Sequence, residues 1–392
     1  MHMGFLTSII VPLLLANQPQ TPEEKLNVDS AAQGLRGRVT KEFASRVQSW
    51  IGEKDLKTGV SRQHGLTTVW AVSVPAGRRV SVVDALSPYR FELHRLPDSN
   101  IFAGTTELAT GTALRWSVEV DGKPMGEPHN LEAYPTPPDN QPHLGVLKGT
   151  VIKPPVWHSH IFEGTTRDWW IYIPAAYKPE NPACVMVFQD GGGPKNYAPT
   201  TFDNLIAKGD MPVTVGVFIN PGTFADGKSN RSFEYDTLSD QYSRFLLEEI
   251  LPEVEKTVHL RHDPESRAIA GASSGGICAF TVAWQRPDQF SKVLSWVGSF
   301  VNLQGGPTKI GGGHNYPPMI RENPKKPIRV FQQDGENDLD NPYGNWPLAN
   351  REIDKALTFA GYDHTIVIGH GFHSDAQGRY LFPESLRWLW RK

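Results

Sequence analysis

Two near-continuous apolar runs, Ala183-Cys184-Val185-Met186-Val187-Phe188 and Val213-Thr214-Val215-Gly216-Val217-Phe218-Ile219, limit the fold of this chain more than any other feature. Side chains alternate between the two faces of a strand, so a strand that is apolar throughout must be covered on both. The middle of a largely parallel sheet, with helices above and below, provides that cover. Asp168-Trp169-Trp170-Ile171-Tyr172-Ile173 reads as a further strand. Residues 240–254 repeat apolar side chains at helical spacing, with Tyr242, Phe245, Leu246, Ile250 and Leu251 on one face, and residues 350–360 do the same. Strands near 267–270, 328–333 and 365–368 complete an alternation that predicts a doubly wound α/β domain over residues 143–392.

Ahead of residue 143 the texture changes. Residues 19–39 are polar and turn-rich, and 40–51 suit one short helix. Brief runs of strand length follow at 67–74, 79–83, 91–94 and 114–120, parted by turn residues at the spacing of a small antiparallel sandwich. The stretch Tyr134-Pro135-Thr136-Pro137-Pro138-Asp139-Asn140-Gln141-Pro142 fixes several φ angles and makes a stiff connector. The expectation is therefore a front domain with its linker over residues 19–142. Residues 5–16 form an apolar run with the length of a secretory core and too short to span a bilayer. Residues 1–18 are thus a candidate signal peptide, which would make the protein secreted or periplasmic; a cytoplasmic chain is the alternative. No other segment reads as a membrane span.

A chain of 392 residues with 39% hydrophobic and 21% charged content can bury the cores of two globular domains. Its 39 basic and 42 acidic residues leave a net charge of -3 with no long run of one sign, so nucleic acid is not an expected partner. The oligomeric state is not legible. The cysteines, Cys184 and Cys278, exclude a disulfide framework and lack metal-ligand spacing; both read as buried thiols, with a bridge between them as the alternative.

The chemistry is carried by Ala268-Ile269-Ala270-Gly271-Ala272-Ser273-Ser274-Gly275-Gly276, in which a short apolar strand runs into Gly-x-Ser-x-Gly and on into a helix-compatible segment. Glycines at 271 and 275 leave room for a sharp turn, and the helix N-terminus behind it offers free amides. Ser273 is the expected nucleophile, with the Ser274 amide facing an oxyanion and the Ser274 hydroxyl as the rival nucleophile. In the α/β-hydrolase class the partners follow in the order Ser, acid, His. The strand at 328–333 ends in Asp334-Gly335-Glu336-Asn337-Asp338-Leu339-Asp340, where Asp338 is the expected acid, Asp340 the alternative, and the others read as solvated loop charges. The strand at 365–368 is followed by Gly369-His370-Gly371-Phe372-His373-Ser374, where His373 is the expected base and His370 the alternative. A second oxyanion amide is expected from Gly191 or Gly192 in the glycine-rich loop after residue 188. Residues 230–236 could wall a substrate site through Arg231, Glu234 and Tyr235; the plainer reading is an ion pair of Arg231 with Glu234 or Asp236. Trp284, Trp296 and Trp346 read mostly as core, with one or two expected at a site rim to stack on a sugar or phenolic ring, and Trp346 is the substrate-binding candidate among them.

From about residue 160 onward the chain resembles the esterase family that includes enterochelin esterases, feruloyl esterases, acetylxylan esterases and esterase D. The matching stretches are residues 166–174, Gln189-Asp190-Gly191, residues 230–236, Gly271-Ala272-Ser273-Ser274-Gly275-Gly276, residues 334–340 and Gly371-Phe372-His373-Ser374. The resemblance implies a Ser273, Asp338, His373 triad, no metal or organic cofactor, and an immunoglobulin-like front module that contributes to the site entrance. Phe372 departs from it, standing where relatives more often carry glycine. The substrate expected is a small-molecule or carbohydrate ester with a feruloyl or acetyl group, ahead of a siderophore trilactone, because no cluster of Arg and Lys is evident to receive an anionic iron complex. An acyltransferase on the same scaffold is the further alternative.

Overall fold

The computed structural model describes residues 26–75, 78–305 and 311–392; the candidate signal peptide lies outside them. Seven strands of the front part join edge to edge in the order Val60–His64, Thr67–Ser73, Ile101–Glu107, Arg90–Arg95, Val80–Asp84, Thr112–Val120 and Lys123–Ala133. Three helices, Val28–Arg36, Lys41–Ile51 and Glu53–Thr58, precede them. The first falls where a turn-rich stretch was expected. Its buried apolar residues are only Ala31 and Ala32, so its periodicity is faint in the sequence. Asn27 starts it by accepting the Ser30 amide at 2.9 Å.

The α/β part contains β1 (Thr150–Ile152), β2 (Trp169–Ile173), β3 (Cys184–Gln189), β4 (Thr214–Ile219), β5 (Arg267–Ala272), β6 (Lys292–Trp296), β7 (Arg329–Gly335) and β8 (Asp363–Gly369). They form one sheet in the order β8-β7-β6-β5-β3-β4-β2-β1. Strands β3 to β8 are parallel, whereas β2 runs antiparallel to both β4 and β1. The helices that bear on the site are α1 (Ala198–Lys208), α2 (Arg231–Asp236), α3 (Ser274–Gln285), α4 (Trp346–Phe359) and α5 (Ala376–Trp390).

The two apolar runs sit at the centre of this sheet, and alternate residues feed opposite cores. Val185, Val187, Val215 and Val217 join Ile277 and Phe280 of α3 on one face. Met186, Phe188 and Phe218 join Phe202 of α1 and Phe382 of α5 on the other. Each such side chain contributes roughly 1.5–3 kcal/mol by leaving water, which holds the carboxyl ends of β3 and β5 side by side. Both cysteines are buried free thiols. Among the described residues no helix is long and apolar enough to cross a membrane. The chain divides into two compact units, one of described residues up to Asp84 with Pro88–Glu107 and Ser117–Glu127, the other of Ala85–Ser87, Leu108–Trp116 and Pro128–Lys392. Every site residue described below falls in the second.

Candidate active site

Ser273 occupies the reversal between β5 and α3 with φ 60° and ψ -125°, a left-handed φ that costs a non-glycine residue about 1–3 kcal/mol. The surroundings enforce it. A Cβ on Gly271 would stand 2.3 Å from the Gly275 backbone, so only glycine permits the strand to pass this close to the helix. The Ser273 amide donates to the Trp296 carbonyl at 2.9 Å, and the Ser273 carbonyl accepts from the amides of Gly276 at 2.9 Å and Ser299 at 3.1 Å. Ser274 opens α3, so its amide has no acceptor within the helix. Its hydroxyl is buried beside Asp236, which sets it apart from the nucleophile position.

Three side chains from distant parts of the chain meet in one row. His373 Nε2 lies 2.8 Å from Ser273 Oγ, and His373 Nδ1 lies 2.6 Å from Asp338 Oδ1. Asp338 is placed by a tight turn after β7, in which its amide donates to the Gly335 carbonyl at 3.2 Å. Asp340 is exposed in a small hairpin, and His370 is exposed and paired with Glu336 at 2.9 Å, so neither alternative joins the row. The acid and histidine loops are tied together: the amides of Glu336 and Asn337 donate to the carbonyls of Gly369 and Gly371 at 2.7 and 3.0 Å. Glu132 brackets the histidine, its Oε1 accepting the Phe372 amide at 3.0 Å and the Ser374 hydroxyl at 2.6 Å. Burial raises the Glu132 pKa, against the pull of these two donors, with the charges of Asp338 and Asp375 adding to the rise. Phe372 is buried, with the Arg115 guanidinium 5.4 Å from its ring centroid.

The family model described as "Putative esterase" matches residues 159–348, which include Ser273 and Asp338. Over those residues, just under half of the chain, the sequence is similar to that family. It is 23% identical over 282 residues to the iron(III) enterobactin esterase of Dickeya dadantii, covering 67% of this chain and 62% of that protein. It is 27% identical over 173 residues to an endo-1,4-beta-xylanase/feruloyl esterase of Xylanibacter ruminicola, covering 43% of this chain and 20% of that protein. The chain thus spans less than two thirds of the length of either relative. A crystal structure of the enterobactin esterase from Shigella flexneri aligns with 88% of this chain and 98% of its own at a TM-score of 0.61 and 16% identity, which shows a shared α/β-hydrolase fold.

In this chain the glycine loop after β3 is arranged differently from expectation. The Gly191 amide donates to the Ile219 carbonyl at 3.0 Å, and the Gly192 amide to Asn220 Oδ1 at 2.9 Å. Both expected oxyanion donors are therefore spent on β4 and the residue that follows it. The cause is close packing, since a Cβ on Gly191 would stand 2.3 Å from the Ile219 nitrogen.

Helix α2 also corrects the ion pair expected within residues 230–236. Arg231 pairs with Asp190, Nε to Oδ1 at 2.9 Å and Nη2 to Oδ2 at 2.8 Å. Glu234 pairs with Arg167 at 2.7 and 3.0 Å, both side chains fully buried, and also accepts the Asn230 side-chain amide at 3.0 Å. Tyr235 is buried, and its hydroxyl accepts the Asp190 amide at 3.2 Å. Glu234 and Tyr235 thus hold loops from within, and Arg231 alone of the three remains partly exposed. Trp346 is buried as well; its ring meets the His373 imidazole edge to face at 5.7 Å, and its Nε1 donates to Ser299 Oγ at 3.2 Å. Ser299 Oγ in turn lies 3.2 Å from Ser273 Oγ. Ser299, Glu132 and Asp334 escaped the sequence reading. The first two carry no local motif, and Asp334 was counted among solvated loop charges although it is fully buried at the end of β7. Among the described residues no cluster of His, Cys, Asp and Glu has the geometry to hold a metal ion.

Proposed function

We propose that this chain is a serine carboxylic-ester hydrolase. The observation that carries the reading is the row from Ser273 Oγ through His373 to Asp338, with contacts of 2.8 and 2.6 Å, on a turn strained to present the hydroxyl. Ser273 Oγ attacks the ester carbonyl carbon as His373 Nε2 takes its proton, and the carbonyl oxygen becomes an oxyanion facing the Ser274 amide. Asp338 holds the imidazole with Nε2 toward the serine and steadies the imidazolium. The imidazolium then returns the proton to the leaving alkoxide, leaving Ser273 acylated. Water repeats the sequence, giving up its proton to His373 and releasing the acid.

The substrate class we assign is a carbohydrate ester, with a feruloyl acyl group ahead of acetyl. A cavity of about 200 Å³ adjoins Ala272, the residue before the nucleophile, and is walled by Phe188, Tyr197 and Trp296. The Gln189 side-chain amide lines the same cavity, buried and without a hydrogen-bond partner among the described residues. Aromatic walls with one open amide suit a hydroxylated ring. Arg231 is already neutralised by Asp190, which disfavours a strongly anionic ligand. A siderophore trilactone is the second reading, favoured by the alignment with enterobactin esterases along most of the chain. The test is hydrolysis of p-nitrophenyl acetate, methyl ferulate, acetylated xylan and enterobactin, with Ser273→Ala as control. Methyl ferulate should turn over fastest, and an added alcohol acceptor should not divert the product from free acid. Turnover retained by Ser273→Ala would refute the reading; dominant acyl transfer to the alcohol would make the chain an acyltransferase.

A further inference from the structure

Behind the row stands a second acid that the hydrolytic scheme does not use. Asp334 is fully buried at the end of β7. Its Oδ1 accepts the Gly335 amide at 2.8 Å and its Oδ2 accepts the Asn350 side-chain amide at 2.8 Å. Asp338, four residues on and across the tight turn, has a fully buried side chain whose Oδ1 is taken up by His373 Nδ1 and the Leu339 amide. Asp338 Oδ2 is buried with no donor from any amide or fixed side-chain N–H of the described residues. A carboxylate oxygen buried without a donor is costly, and two buried carboxylates side by side would add repulsion that no water screens. One proton shared across the pair removes both costs at once.

We propose that Asp334 is held as a neutral carboxylic acid and donates its proton to Asp338 Oδ2, acting as a positioning residue for the acid of the proposed triad. Burial is the largest influence driving Asp334 toward the protonated form, followed by the hydrogen bond and the charge of Asp338; the Gly335 and Asn350 amides pull the other way and are outweighed. No cation of the described residues pairs with it. From its own loop Glu336 is engaged by His370 and by Arg351 of α4, Asp340 is exposed, and His373 reaches the pair only through Asp338. From α4 the neighbour is neutral Asn350. The pair therefore carries one negative charge, and the imidazolium formed during turnover faces a single anion fixed at both oxygens.

The proposal rests on the esterase reading, and its test separates the two. Asp334→Asn supplies an N–H in place of the acid proton and cannot ionise. Asn350 tolerates it, because its two amide hydrogens retain the Gly298 and Trp346 carbonyls at 2.9 and 3.1 Å. With p-nitrophenyl acetate, Asp334→Asn should keep kcat within about threefold and leave the acid limb of kcat/KM in place. Asp334→Ala removes the donor and should lower kcat about 10- to 100-fold with KM little changed. A downward shift of the acid limb by about one pH unit in Asp334→Asn would mean that an anion had been removed, overturning the proposal. Full activity in Asp334→Ala would overturn it as well. Infrared difference spectra near neutral pH decide the matter without turnover. Measured in the Ser273→Ala background, a protonated-carboxyl band should be present with Asp334 and absent with Asp334→Asn; its absence from both refutes the neutral acid even if the protein hydrolyses no ester.

Discussion

Ser273 is fixed by backbone it cannot leave, whereas His373 is fixed by hydrogen bonds supplied from another part of the chain. At the serine, a Cβ on Gly271 would strike the Gly275 backbone at 2.3 Å, and the amide and carbonyl of Ser273 are both engaged. At the histidine, a single carboxylate oxygen of Glu132 ties down the residues on either side of the imidazole, and the acid loop ties down the rest. The contrast teaches that the nucleophile is presented by local steric necessity and its base by long-range polar anchoring. Sterically fixed positions should fail abruptly under substitution, and polar-anchored ones by degrees.

The largest effect belongs to the reacting hydroxyl: Ser273→Ala should lower kcat by about 10⁴-fold or more, and adding His373→Ala should lower it little further, because the two act as a unit. Steady-state kinetics of the single and double variants check this. Gly271→Ala comes next. Its methyl meets backbone with no room to yield, so thermal denaturation should show a loss of about 3 kcal/mol or a chain that does not fold. Glu132→Ala should cost about 1–3 kcal/mol through the stranded Phe372 amide and Ser374 hydroxyl. It should also reduce kcat about tenfold as the imidazole loosens.

A subtler effect distinguishes Glu132→Gln, whose single carbonyl oxygen can accept both donors that the carboxylate accepts. The folded chain holds the Glu132 proton more tightly than the unfolded chain does, since its pKa is raised from the ordinary 4.5. The stability this contributes is complete below about 4.5 and is lost as the pH rises through the folded value. The variant lacks that loss, so its melting temperature should gain on the wild type with rising pH; a constant gap would contradict the burial argument. The smallest effect is expected for Gly192→Ala, whose methyl would meet only the Asn220 side chain, at 3.3 Å. Activity should stay within about twofold. A loss approaching that of Gly271→Ala would show the glycine loop to be as tightly specified as the serine turn.

This contrast also explains what could be read from the chain in advance. The turn at Ser273 is legible because its requirements are local: an apolar strand, glycines at 271 and 275, and a helix start. The sheet is legible because Val185 and Met186 must face opposite cores. Glu132 is not, since nothing near it in sequence marks a carboxylate whose partners lie 240 residues away. Gly191 and Gly192 show the same glycine richness whether their amides face a substrate or the neighbouring strand, and here they face the strand. Asp334 and Asp340 flank Asp338 with the same chemistry, and only the path of β7 buries the first and exposes the second. Arg231 could have met any of several nearby acids, and the fold chose Asp190, which lies outside its own segment.

The account's centre is a hydroxyl made nucleophilic by an imidazole, and covalent trapping tests it most directly. A fluorophosphonate probe, followed by peptide mass spectrometry, should leave its adduct on Ser273 in the wild-type chain and on no residue when His373 is replaced by alanine. An adduct on Ser274 or Ser299, or labelling of Ser273 at an undiminished rate without the imidazole, would contradict it.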